Sequence, residues 1–319
     1  LYIDSEDFAL VPPPKFFRLK PDGEVRLMGA YIIKCGDIVL NDDGTVNFDR
    51  LKSLIDEQIE AGIPALVICG TTGESATMTL EEHSEVTRVA IKHANGRVKV
   101  IAGAGSNDTA CAISLAKEAE EAGADALLVV TPYYNKATQS GLVAHYTAIA
   151  NSVKLPIILY NVPSRTGVNI QPATYAKLAD VENIVAIKEA NGDISSVVKT
   201  RLLCGDKLDI YSGNDDQIIP IMALGGKGVI SVLSNVMPKE TVEMCDKMLT
   251  GDLEGAAAMQ IELSSLIDAL FIEVNPIPCK EAMNLMGMNM GPVRLPLSPM
   301  EENTKAVLVK ELKKFELIK

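Results

Sequence analysis

The chain has 319 residues, 47% of them hydrophobic, enough to fill one large core or two small ones. Its formal net charge of −12 argues against nucleic acid or an anionic membrane surface as a partner. Its six cysteines, Cys35, Cys69, Cys111, Cys204, Cys245 and Cys279, are widely spaced with no Cys-x-x-Cys, so reduced thiols in a cytoplasmic protein are expected rather than zinc or disulfides.

Residues 1–40 read as an atypical N-terminal segment. Pro12-Pro13-Pro14 breaks any helix there, and no signal-peptide order is visible. Tyr31 to Lys34 is a candidate short strand, and Asn41-Asp42-Asp43-Gly44 is a turn. From Phe48 a regular alternation begins. Leu51, Leu54, Ile55 and Ile59 share one helical face, which predicts a helix to Ala61. The next strand, Ala65 to Cys69, runs into Gly70-Thr71-Thr72-Gly73-Glu74. Thr79 and Glu82 then have the spacing of a capping box. Further strands are predicted at Val98 to Ala102, Ala126 to Val130, Ile157 to Tyr160, Ile184 to Ala190, Leu208 to Tyr211 and Gly228 to Leu233. Helices alternate with them, starting at Asn107 or Asp108, then over Ser140 to Val153, Pro172 to Ala179 and Ser195 to Leu203. Two more run through Leu224 and over Pro238 to Leu249.

Seven βα units follow residue 60, and Tyr31 to Lys34 would make an eighth. Strands that are apolar throughout, alternating with amphipathic helices, indicate a parallel sheet covered by helices. The uninterrupted series favours the α/β class and a (β/α)8 TIM barrel over residues 41–251. Residues 252–319, with helical patterns over Glu254 to Ile272, Lys280 to Met286 and Met300 to Leu317, form a C-terminal helical extension. No run of about 18 apolar residues suggests a membrane span.

The pivotal stretch is Ile184-Val185-Ala186-Ile187-Lys188-Glu189-Ala190, a buried strand ending on a lysine. By itself, Lys188 reads as a snorkelling side chain at a strand end. The sharper reading is an amine kept neutral by burial and free to attack a carbonyl, forming a Schiff base. Active sites of TIM barrels lie at the C-terminal strand ends. Here those ends carry Thr71 and Thr72, Tyr133 and Tyr134, Tyr160 with Arg165, Lys188, and Ser212 with Asn214. Packing does not explain polar groups gathered at one end of apolar strands.

The chemistry follows from the residue types. Attack of Lys188 on a ketone gives a carbinolamine and then an imine, an electron sink that makes the neighbouring carbon acidic. Each step moves a proton, and Tyr160, Tyr134 and Thr72 are candidates to relay it. Arg165 offers a planar fork for a carboxylate. Backbone N–H groups of the Gly70 to Glu74 turn offer a place for a second. The substrate is then a small oxo-acid. His83, His93 and His145 are scattered on predicted helices and read as surface or interface residues rather than metal ligands.

The motifs Gly70-Thr71-Thr72-Gly73-Glu74-Ser75-Ala76-Thr77, Thr131-Pro132-Tyr133-Tyr134-Asn135, Tyr160-Asn161-Val162-Pro163-Ser164-Arg165-Thr166-Gly167, Ile187-Lys188-Glu189-Ala190, Gly228-Val229-Ile230-Ser231-Val232 and Asn275-Pro276-Ile277-Pro278 form a specific set. Over about residues 44 to 319 the chain resembles the dihydrodipicolinate synthase (4-hydroxy-tetrahydrodipicolinate synthase) family of pyruvate-dependent class I aldolases. The resemblance implies a carbon–oxygen lyase that condenses pyruvate with L-aspartate-4-semialdehyde in diaminopimelate and lysine biosynthesis. It implies Lys188 as the imine-forming lysine and Tyr160 as general acid/base. Thr72, Tyr160 and Tyr134 would be the relay, with Tyr134 reaching in from a neighbouring subunit. Arg165 would hold the semialdehyde carboxylate, Thr71, Thr72 and the backbone at Ile230 would contact pyruvate, and Gly213 is a further substrate-binding candidate. A homotetramer built as a dimer of dimers, working without metal or cofactor, is implied as well. Competing readings are another Schiff-base aldolase, acting on N-acetylneuraminate or a keto-deoxy sugar acid, and a catalytically inactive barrel.

Two departures from the family pattern stand out. A Thr-Pro ending the first strand is missing from Tyr31 to Val39, and residues 1–40 do not resemble the family; a shifted reading frame upstream of about residue 40 would produce such a break. Second, Ser75, Ala76, His83, Asn107 and Tyr133 match a regulatory lysine pocket at the dimer interface. Leu80, however, stands where a histidine is common, and Cys111 where a glutamate would hold the inhibitor's amine. Weak or absent lysine feedback is expected.

Overall fold

The computed structural model describes residues 45–319 in full and, upstream, the backbone of residues 24–26 and 32–34. The chain divides into two units, Leu1–Thr45 and Val46–Lys319. In the first, β1 (Glu24–Arg26) and β2 (Ile32–Lys34) pair antiparallel, with Val25 opposite Ile33. This differs from the expectation that Tyr31 to Lys34 opens the parallel barrel; Tyr31 itself lies outside the described residues. Pairing with the strand just upstream closes only a short loop, whereas joining a parallel sheet requires a long crossover.

The second unit is an α/β TIM barrel with a C-terminal helical extension. Its strands are β3 (Ala65–Ile68), β4 (Lys99–Gly103), β5 (Ala126–Val130), β6 (Ile157–Asn161), β7 (Ile184–Glu189), β8 (Asp209–Ser212) and β9 (Gly228–Val229). Among the described residues these seven form one parallel sheet in sequence order. The surrounding helices are α1 (Phe48–Glu60), α2 (Leu80–Ala94), α3 (Thr109–Ala122), α4 (Gln139–Ala150), α5 (Pro163–Thr166), α6 (Pro172–Leu178), α7 (Ile194–Cys204), α8 (Ile218–Ala223) and α9 (Pro238–Thr250). The extension consists of α10 (Leu253–Leu270), α11 (Ile277–Leu285) and α12 (Glu302–Lys314). Among the described residues no helix is long and apolar enough to cross a membrane.

Local signals place the helix starts. The capping box forms as expected, with Thr79 accepting from the Glu82 N–H and Glu82 accepting from the Thr79 N–H. Asp108 accepts from the Cys111 N–H at 2.8 Å and begins α3. The strands follow a period of two. Leu127, Val129, Leu159, Ile187 and Ile210 pack outward with Tyr146 and Tyr175 of the helix layer. Leu128, Ile158, Tyr160 and Ala186 pack on the other face with Val67, Ile101, Tyr211 and Ile230. The extension has its own core of Leu263, Leu266, Ile267, Leu270, Leu308 and Leu312, joined to Ile218, Met222 and Leu233. Cys69, Cys204 and Cys279 are buried free thiols.

Two segments differ from their sequence patterns. The apolar run Gly228 to Leu233 is a strand only at Gly228–Val229. Buried Asp215 accepts from the N–H groups of Val232 and Leu233, both at 2.9 Å, and turns the chain into a 3-10 turn at Leu233–Asn235. Arg165 lies in a short helix, α5, started by Pro163.

Candidate active site

The site is built on the ends of β6, β7 and β8. Lys188 lies opposite Tyr160 on one side and Tyr211 on the other. Its Nζ stands 4.4 Å from the centroid of the Tyr160 ring, within reach of the ring's electron-rich face. Tyr160 is buried and Lys188 half-buried. Gly213 leaves room for this arrangement. A Cβ there would come within 2.7 Å of Ala190 Cβ and 3.1 Å of Lys188 Cε, so the exit of β8 passes the lysine stem only as glycine.

The exit of β3 supplies the threonines. Cys69 adopts a left-handed φ of 56° and starts the turn. Its carbonyl is approached so closely by Gly103 that a Cβ at 103 would be 2.1 Å away. Among the described residues no acceptor meets the N–H groups of Thr71, Thr72 and Gly73, which gives the turn the character of an anion notch. Asn275 in the extension joins two expected site residues. Its Nδ2 donates to Thr72 Oγ1 at 3.0 Å, and its carbonyl accepts from Arg165 Nη2 at 2.9 Å. Glu74 anchors the same turn to the extension through an ion pair with Lys280 and by accepting from the Arg294 N–H at 3.1 Å.

Other expected residues stand differently. Tyr134 is 89% exposed with φ at 74°, and Tyr133 is 41% exposed. Within this chain Tyr134 is therefore outside the buried Lys188–Tyr160 cluster. The Ile230 N–H donates to the Ser212 carbonyl at 2.9 Å, which leaves Ile230 only its carbonyl for a substrate. Ser212 does not present its hydroxyl to the site: it is fully buried and donates to the Asn214 carbonyl at 2.6 Å.

Two buried carboxylates were missed by sequence reasoning. Asp215 is raised by burial, against hydrogen bonds from Ser231 and the N–H groups of Leu233 and Val232 and, least, the Lys188 charge. Glu189, the residue after Lys188, is pushed by burial up to about 7, against hydrogen bonds from Tyr175 and Asn161. Their signal was slight: acidic residues within or next to apolar strands, whose partners lie far away in sequence.

Four of the regulatory candidates follow strand ends and the fifth lies on a helix. Ser75 and Ala76 follow β3, and Asn107 follows β4 and accepts at its carbonyl from Asn135 Nδ2 at 3.0 Å. Tyr133 follows β5. His83, on α2, is lowered by burial, and Leu80 is 57% exposed.

Residues 32–315 match the Dihydrodipicolinate synthetase family. Residues 1–52 also match the anti-codon binding domain of class I tRNA synthetases (E and Q). The 4-hydroxy-tetrahydrodipicolinate synthase of Lachnoclostridium phytofermentans is 56% identical over 274 residues, 86% of this chain and 93% of that one. The enzyme of the same name from Clostridium perfringens is 53% identical over 278 residues, 87% of this chain and 95% of that one. The crystal structure of the dihydrodipicolinate synthase from Acinetobacter baumannii, complexed with pyruvate, superposes with a TM-score of 0.84 at 43% identity, covering 87% of this chain and 96% of that one. The chain belongs to the dihydrodipicolinate synthetase family.

Proposed function

We propose that this protein is a 4-hydroxy-tetrahydrodipicolinate synthase acting through a Schiff base on Lys188. The observation that carries the reading is the Lys188 amine held over the Tyr160 ring at the mouth of the barrel. The amine attacks the pyruvate ketone, and the carbinolamine loses water to give the imine. Loss of a C3 proton gives the enamine, whose carbon bonds to the aldehyde carbon of L-aspartate-4-semialdehyde. The amino group of that substrate then displaces Lys188 from the imine carbon and closes the ring. The sum is one pyruvate plus one semialdehyde giving one 4-hydroxy-tetrahydrodipicolinate and one water.

Tyr160 is the acid/base at the imine. Thr72 extends the relay, and the Asn275 amide on its oxygen leaves the hydroxyl hydrogen free to turn toward the substrate. The open N–H groups of Thr71 to Gly73 take the pyruvate carboxylate, and Arg165 takes the carboxylate of the second substrate. Tyr134, exposed here, completes the relay from a neighbouring subunit of a homotetramer. The product feeds lysine and diaminopimelate synthesis in the cytoplasm. A sugar-acid aldolase needs polyol contacts in place of Arg165, and an inactive barrel has no use for the Lys188, Tyr160 and Thr72 set. Relatives more than half identical carry the synthase name.

The test is trapping with pyruvate and borohydride. A reduced adduct of about 72 Da on the peptide containing Lys188 is expected. Folded protein that stays unlabelled there overturns the reading.

A further inference from the structure

The outward face of the Lys188 strand carries a second polar cluster that the chemistry above does not use. Successive strand residues point to opposite faces. Tyr160 and Lys188 are paired, so the next pair in register, Asn161 and Glu189, points toward the helix layer. Glu189 is only 4% exposed. Its Oε1 accepts from Asn161 Nδ2 at 2.8 Å and from the Asn191 N–H at 3.0 Å, and its Oε2 accepts from the Tyr175 hydroxyl at 2.9 Å. Its own carbonyl accepts from the Gly213 N–H at 2.7 Å, tying β7 to the β8 exit beside Lys188. Asn161 is held just as firmly. Its Nδ2 also donates to Asn169 Oδ1 at 2.7 Å, its Oδ1 accepts from the Ile170 N–H at 3.1 Å, and its carbonyl accepts from the Ala190 N–H at 2.9 Å.

Two of the groups facing the Glu189 carboxylate, the Asn161 amide and the Asn191 N–H, can only donate, and the Tyr175 hydroxyl could accept from a protonated carboxyl only by turning its own hydrogen away. The nest therefore fits the anion. A protonated carboxyl presents a hydrogen where donors already point and gives up a bond. Burying an anion is costly, and an apolar residue of similar volume serves stability as well or better. Packing alone does not account for a carboxylate at this place.

We propose that ionised Glu189 is a positioning residue: by gripping Asn161 on β6, Tyr175 on α6 and the turn at Asn191, it fixes the strand register that sets Lys188 over Tyr160. The proposal rests on Lys188 being the imine-forming amine. The titratable groups around Glu189 are Tyr175 and, behind it, Tyr146 on α4 and Cys204 on α7, all raised by burial. Lys188 lies on the opposite face of the same strand. With Glu189 raised to about 7, its grip loosens as pH falls through that value. The Tyr175 hydrogen bond lowers Glu189, so removing it moves the loosening to higher pH.

The experiment follows the initial rate at which pyruvate is trapped on Lys188 by cyanoborohydride between pH 5.5 and 9. It compares wild type, E189Q and Y175F, with circular dichroism to establish folding. Wild type is expected to lose rate below about pH 7. Y175F is expected to keep its rate at pH 9 within about threefold and to shift the acid limb up by about one pH unit. E189Q sets an amide against donors and is expected to trap at least about tenfold more slowly, without that limb. If E189Q does not fold, Y175F decides. Wild-type labelling with an unmoved Y175F profile overturns the proposal and leaves the synthase reading intact. No label on wild type overturns the synthase reading, and the proposal with it.

Discussion

The two sides of the candidate site are held in opposite ways. On the β6–β7–β8 side, Tyr160 is 6% exposed and in register with Lys188, with Gly213 and the Glu189 nest fixed around them. On the β5 side, Tyr134 is 89% exposed on a left-handed backbone. The proposed nucleophile and its nearest phenol are preorganised by one chain. In the proposed relay, the outer phenol needs a surface from elsewhere to exclude water and fix its position. Chemistry at the imine should therefore be sensitive to single atoms on the buried side, and to assembly on the exposed side.

The largest effect is expected from Lys188→Ala, which removes the proposed nucleophile. Pyruvate labelling should vanish and turnover should fall roughly 10⁴-fold or more, read in a steady-state assay. Tyr160→Phe keeps the ring beneath the amine and deletes only the hydroxyl. Turnover should fall by about 10²- to 10⁴-fold with the circular dichroism spectrum unchanged. A loss smaller than that of Tyr134→Phe would reverse the contrast between the two sides.

Tyr134→Phe should cost less, about 10- to 100-fold. A sharper measurement mixes the inactive Lys188→Ala and weakened Tyr134→Phe chains after subunit exchange. A relay across subunits gives each mixed pair one complete site, so activity should return above that of either parent. Activity that only averages the parents would place Tyr134 in the same chain as the lysine it serves.

Much of the barrel was legible because its strands are apolar on both faces and its helix starts are chemically marked. Asp108 and Thr79 cap where their spacing indicates, and Ala126–Val130 has the bounds read from the sequence. Lys188 was legible because a lysine closing such a strand needs a reason. Glu189 was not, although it is the next residue: its partners, Asn161 and Tyr175, are supplied by register and by a helix 14 positions upstream. Asn275 was visible only as part of a motif, because its bond to Thr72 spans 203 positions. The β9 run was misread because a buried carboxylate, Asp215, overrides local strand preference. The strand at Ile32–Lys34 was legible but its pairing was not, because an antiparallel partner at Glu24–Arg26 stands only a few residues upstream.

The buried side should also reveal itself in stability. Glu189 is raised from 4.5 to about 7 in the folded state. The folded protein then binds a proton that the unfolded chain releases, so the contribution is fully present below about pH 4.5 and is lost as pH rises through about 7. The size is on the order of 3 kcal/mol. In urea unfolding, wild type should lose ground to E189Q between pH 5.5 and pH 8. Stability then favours the protonated carboxyl and the proposed positioning role favours the anion, the kind of opposition expected where a residue is kept for function. Parallel curves for the two proteins would show that Glu189 does not titrate in this range.

The smallest effect, close to none, is expected from lysine. The positions of Ser75, Ala76, Asn107 and Tyr133 after the strand ends, and of His83 on α2, are kept, but an inhibitor's ammonium group needs a carboxylate to hold it. Leu80 offers an exposed aliphatic side chain and Cys111 a thiol. Asp108, the acid at the start of the same helix, is already engaged by the Cys111 N–H at 2.8 Å. A neutral group replacing a carboxylate forfeits both the charge-assisted hydrogen bond and the attraction behind it. Lysine at millimolar concentration should leave the initial rate nearly unchanged, and a halved rate would contradict the argument. The converse variant tests the cause. Cys111→Glu restores a carboxylate on the first turn of α3, where the helix N-terminus favours negative charge, and should make the enzyme measurably sensitive to lysine. If Cys111→Glu folds and stays insensitive, the missing carboxylate is not what disables the pocket, and Leu80 becomes the residue to change.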